Sequence, residues 1–243
     1  MTVPIQLLIH ALQEKRVNQL KLYLFLKAIS SGHIRLTDEV QAKVCEAIEW
    51  KDIRTFKTNL EWLLNNHWAA FNSKTDSLRI VSFEKVFKKI KGNIYTAARM
   101  EMKDFKTFRP FIYAAIITWG IKQVAREHIK SERKKGSSSK DRMKADLHIL
   151  PNEYSAKLFK FDSSTASRYK NAAADADYLN VYHRFISLNR KPKDLANLKL
   201  YFNEDIANSL VVHKGVIQEQ IADEIYSSIK LVSLKHLRKT YKK

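Results

Sequence analysis

Two polar clusters in this chain carry the residue types that bind polyanions and read nucleobase edges. The first is Lys51, Arg54, Thr55, Lys57 and Thr58; the second is Ser164, Ser167, Arg168, Lys170 and Asn171. Arginine can donate two parallel N–H bonds to guanine O6 and N7. Asparagine suits adenine, and serine, threonine and lysine bind phosphate oxygens. Two further sets of cations lie in expected turns: Lys74 with Arg79, and Arg190, Lys191 and Lys193 around Pro192. Such tips can lie against phosphates or enter a minor groove. An ordinary solvated helix face or hairpin carries the same mix of residues, so the reading depends on what surrounds these clusters.

Patterns for catalysis are weak by comparison. The eight His are scattered, with no HExxH pair and none beside the single Cys45. Ser137-Ser138-Ser139-Lys140 matches S-x-x-K but falls in an expected flexible loop, where no pocket would fix a nucleophile. His236 to Tyr241 resembles the His-Leu-Arg box of tyrosine recombinases with the spacing off by one. Paired carboxylates such as Asp175 with Asp177, or Glu204 with Asp205, more often cap or solvate helices than hold metal. The expectation is a protein that is not an enzyme and has no cofactor or metal.

The charge balance supports a polyanionic partner. Against 25 Asp and Glu stand 44 Lys and Arg, a net +19. Residues 85–145 hold 17 Lys and Arg but 5 Asp and Glu, and Lys235 to Lys243 form a second basic cluster. Hydrophobic residues reach 45%, enough for a packed core. One cysteine permits no intrachain disulfide and fits a reducing compartment. No signal peptide is visible, and the most apolar stretch, Phe111 to Ile121, is too short to span a bilayer. A cytoplasmic protein with no membrane partner is expected.

Elements must position the two clusters. Helices are expected over about residues 4–12, 18–30 and 38–48, the last with Thr37 as N-cap. Asp52 should cap a further helix from Ile53 to about Asn66, with Ile53, Phe56, Leu60, Leu63 and Leu64 facing the core and Trp62 packing on the wing. Trp68 to Phe71 and Ser77 to Phe83 read as two strands of a hairpin wing. Phe83 to Met102 and Thr107 to Glu132 read as helices, followed by a flexible Gly/Ser loop. The pattern then returns. A short helix ends near Phe159, and Ser163 is expected to cap a helix from Ser164 to Ala176. A strand from Tyr178 to Leu188 pairs with Asn197 to Phe202, and Glu204 to Tyr241 is mainly helical, with Leu210 to Val216 open between helix and strand. The fold expected is mainly α with small β-hairpin wings (α+β): two winged-helix modules joined by a long basic helical segment. The boundaries fall at 1–90, 91–145 and 146–243.

The segment from Asp52 to Trp68 resembles the recognition helix and wing start of winged-helix proteins. So does Lys160 to Lys170 with Tyr178 to Val181. The tandem layout is similar to plasmid-type replication initiators, over about half the chain. That resemblance implies sequence-specific binding of double-stranded DNA, replication initiation or control for a plasmid, phage or other mobile element, a homodimer, and host replication proteins as partners. A transcription regulator with the same grip, or a packaging protein that binds nucleic acid without sequence preference, remains open on the residues alone.

Overall fold

The structure, a computed structural model, describes residues 1–90, 96–134, 148, 150, 152–196, 210–213, 215–220 and 223–234. Lys91, Lys135, Asn197 to Phe202 and the basic tail from Lys235 lie outside the described residues. The chain is α+β, with long helices and several small antiparallel sheets. It forms two compact units. One comprises Met1–Trp119, Arg168–Tyr178 and the described residues from Ser228 on; the other comprises Gly120–Ser167 and Leu179–Ser227.

In the first unit, β1 (Thr2–Pro4) leads into α1 (Ile5–Gln13) and α2 (Val17–Ile29). Leu20, Leu22, Tyr23, Leu24 and Leu26 are all fully buried, so α2 is covered on more than one side. Next come β2 (His33–Ile34), α3 (Asp38–Ala47), α4 (Ile53–Asn65), β3 (Ala69–Asn72) and β4 (Ser77–Ile80). The three strands form an antiparallel sheet in the order β2-β4-β3. Helix α4 packs on α2 and α3 through Phe56 and Leu63, both fully buried. Helix α5 (Phe83–Ile90) and β5 (Thr96–Arg99) follow. Strand β5 is central in a second sheet, between β1 and β11 (Leu231–Ser233).

The second unit takes up the later part of α6 (Phe108–Lys134), α7 (Asn152–Phe159) and the first turn of α8 (Ser163–Asp175). Gly120 on α6 is where Leu150 and Leu158 pack: a Cβ there would stand 2.3 Å from Leu158 Cδ1. Strands β6 (Leu179–Tyr182) and β10 (Glu224–Ser227) pair antiparallel. Between them lies a three-stranded sheet in the order β7-β9-β8, built from Phe185–Arg190, Val216–Gln220 and Leu210–His213.

Three expectations from the sequence are corrected here. Of the helix expected over Phe83 to Met102, Phe83–Ile90 is helical, but Thr96–Arg99 is a strand whose small Ala97 and Ala98 are fully buried between β1 and β11. The strand expected over Tyr178 to Leu188 is two strands with different partners: β6 pairs with β10, and β7 with β9. Among the described residues of Glu204 to Tyr241, the mainly helical reading gives way to four strands, the first of them within Leu210 to Val216, the stretch open between helix and strand. Val211, Val212, Val216, Ile217, Ile225 and Val232 supply the β-branched residues that favour pleated backbone. Gly215, at φ +77°, makes the turn between β8 and β9.

Candidate nucleic-acid interface

Each polar cluster sits on the second helix of a helix–turn–helix, and the two turns are built alike. Helix α3 ends on Glu49 at φ +58°, whose N–H donates to the Glu46 carbonyl, while Trp50 N–H donates to Cys45 O at 2.8 Å. Helix α7 ends on Lys160 at φ +54°, donating to Lys157 O, while Phe161 N–H donates to Ala156 O at 3.1 Å. An aspartate then starts the next helix in each case. Asp52 accepts the Arg54 N–H at 2.7 Å, and Asp162 accepts the Thr165 N–H at 2.8 Å. Helices α4 and α8 are both 13 residues long. Each closes on a left-handed residue, His67 (φ +56°) or Asp177 (φ +60°), and then an aromatic, Trp68 or Tyr178. The carbonyls of that aromatic pair receive the N–H groups of Val81 and Ser228. From the turn to the closing aromatic, corresponding residues lie 110 or 111 positions apart, whereas the donors Val81 and Ser228 lie 147 apart.

The matching continues at the strands. Leu78 of β4 lies opposite Ile34 of β2, and its counterpart Ile225 donates to the His148 carbonyl at 2.6 Å. The sequence expectation put the second cap at Ser163. The structure puts it at Asp162, because that carboxylate takes Ser164 Oγ, Thr165 N and Thr165 Oγ1 together. Those three bonds hold the Asp162 carboxyl far below its ordinary range. The stabilisation of this helix start is therefore present above the unfolded carboxylate pKa and is lost only as pH falls toward the lowered native value. Replacing Asp52 by alanine is expected to cost about 1 kcal/mol in urea unfolding with the denaturant slope unchanged.

The exposed face of α4 carries Arg54, Lys57 and Thr58, with Thr55 half-buried beside them. Glu61 and Asn65, outside the candidate set, share that face, where the helical wheel also places Asn65. Ile53, expected in the core, is 41% exposed at the first turn, where it lines a groove with Ala42, Cys45, Trp50, Lys51 and Lys57. Asn59 is buried instead, and it donates to Thr55 O at 2.7 Å. Trp62 meets Trp68 edge-on at 5.4 Å, at the start of the hairpin.

On α8, Ser164, Arg168 and Asn171 are exposed and Ser167 is half-buried. The Ser164 hydroxyl donates to Asp162, so that proton is engaged in the helix cap. Lys170 is a correction: it is 3% exposed and unavailable to a phosphate. It stands four residues after Ala166 and three before Ala173, on the same inward stripe as those two buried alanines.

The first hairpin brings Lys74 to its tip, where Asn72 Oδ1 accepts the Lys74 N–H at 3.0 Å. Arg79 projects from the solvent side of β4 between buried Leu78 and Ile80. At the second expected tip, the partner strand expected over Asn197 to Phe202 lies outside the described residues. Arg190 ends β7 at a register irregularity, and Lys191 and Lys193 flank Pro192 in a 3-10 turn; all three are exposed. Lys85 and Lys88 are exposed on α5.

Among the described residues no three His, Cys, Asp or Glu gather as metal ligands, and no helix is long and apolar enough to cross a membrane. No family model, curated protein or solved structure matches the chain.

Proposed function

We propose that this protein binds double-stranded DNA sequence-specifically through two winged helices, and that it initiates or controls replication of a plasmid, phage or other mobile element. The observation that carries the reading is the second helix–turn–helix, its turn 111 residues and its aspartate cap 110 residues after those of the first, with the same turn bonds. The element order α2-β2-α3-α4-β3-β4 and the sheet order β2-β4-β3 support a winged-helix reading, in which the helix after the turn enters a major groove. The net +19 supplies the sequence-independent attraction.

Selecting bound fragments from a random duplex pool tests the reading. A single enriched motif, bound at least about a thousandfold more tightly than bulk DNA, is expected. A pool that emerges unenriched would favour packaging over recognition. On the selected site, log affinity should fall against log salt with a slope near −4 or steeper, at about −0.9 per phosphate neutralised. The location of the motif then separates roles: directly repeated copies at an origin indicate initiation, and a promoter indicates transcription control.

A further inference from the structure

The ribbon of β6 and β10 has one face turned inward and one that nothing explains. Tyr182 lies opposite Glu224, and Tyr226 opposite Asn180. Side chains alternate along a strand, so Leu179 and Ile225 go to the interior, while Asn180, Tyr182, Glu224 and Tyr226 share the other face. Tyr182 is 57% exposed and Tyr226 41%. His148 stacks on Tyr226 with centroids 4.3 Å apart and planes 28° apart. Tyr182 meets Tyr226 edge-on at 5.7 Å. Three aromatic rings thus form a row across a solvent-facing sheet surface.

The row is held in place. His183 Nδ1 and Asp223 Oδ1, 2.8 Å apart, join the chain just beyond the Tyr182–Glu224 pair, and Asp223 is buried. The Tyr226 hydroxyl donates to Glu224, which occupies the one carboxylate on this face and raises the phenol pKa; the Arg184 charge acts on the same hydroxyl in the opposite sense. Exposed aromatic rings on a sheet are the means by which sheet surfaces bind unpaired bases. Stacking is available to every base, and the attraction of the phosphates comes from net positive charge.

We propose that this face stacks the bases of single-stranded DNA, a binding activity separate from duplex reading by α4 and α8. A chain carrying +19 matches a polyanionic strand. The test measures anisotropy of a labelled twelve-nucleotide oligothymidylate with the full chain at fixed salt. An abasic strand of equal length serves as control, carrying the same phosphates without bases. The strand with bases should bind at least about tenfold more tightly than the abasic strand. Tyr182→Ala and Tyr226→Ala should each weaken it about 5- to 150-fold. Tyr182→Phe, which keeps the ring, should bind like the parent, and duplex affinity should be unchanged in all three variants. Equal binding of the abasic strand, or full affinity in both alanine variants, would overturn the proposal. Failure to enrich a duplex motif would leave this result standing, so the two proposals fail separately.

Discussion

Replacing Arg54 and Arg168 together by alanine is expected to bring binding at the selected duplex site down toward the level of bulk DNA. Arg54 is the second residue of α4 and Arg168 the sixth of α8, and both are exposed. A guanidinium seated on a guanine edge discriminates against the wrong base by about 1–3 kcal/mol, or roughly 5- to 150-fold. The two arginines stand on different helices and would read different base pairs, so their losses should multiply, to about 10²-fold or more. Binding to unselected DNA should change by much less. Lys74→Ala is the informative contrast. A phosphate contact carries no sequence information, so every duplex should weaken alike and the salt slope should ease by about one. If the double arginine variant behaves in that uniform way, base reading by α4 and α8 is wrong. Neither arginine is buried, so an unchanged thermal midpoint would assign the loss to the interface rather than to the fold.

The first helix–turn–helix was legible because its signals are local. Thr37 and Asp52 are N-caps as their types indicate, α4 runs from Ile53 as its wheel predicts, and the hairpin of β3 and β4 falls between Trp68 and Phe83. What the sequence concealed has physical causes. The left-handed turns at Lys15, Glu49, His67, Lys160 and Asp177 use no glycine, so helix ends carry no mark of their own. Strand β6 finds its partner more than forty residues along, in β10, and a three-stranded sheet fills the interval. Pairing at that separation leaves no trace in local periodicity, whereas a hairpin does. Lys170 shows the limit of residue type as a guide: a cation three and four residues from buried alanines follows the stripe rather than its charge. Ile53 shows the converse at a helix end, where the first turn projects past the core that the rest of α4 packs against.

Tyr23→Ala is expected to destabilise the first unit by about 3–5 kcal/mol in denaturant unfolding. The side chain is fully buried on α2, and its hydroxyl donates to the Val81 carbonyl at 2.8 Å, just past β4. Its ring meets Trp68 edge-on at 5.2 Å and Phe83 at 5.8 Å. Trp68 in turn meets Trp62 of α4, over which the Arg16 guanidinium sits at 5.3 Å. One ring therefore ties α2 to the hairpin and, through Trp68, to α4, so its removal should also lower duplex affinity at temperatures where the variant is still largely folded. Tyr23→Phe separates packing from the hydrogen bond: it keeps the ring contacts and should cost about 1–2 kcal/mol, for the carbonyl left without its donor. Burial raises the Tyr23 phenol above its ordinary pKa. The stabilisation it provides is complete below the unfolded value near 10 and is lost as pH rises toward the native one, so Tyr23→Phe should lose stability less steeply than the parent above about pH 10. Combined with Trp68→Ala, the Tyr23→Ala loss should fall short of additive by about 0.5–1.5 kcal/mol, the worth of an edge-on aromatic pair. A Tyr23→Ala protein within about 1 kcal/mol of the parent would mean that α4 takes its position from the α3 turn alone.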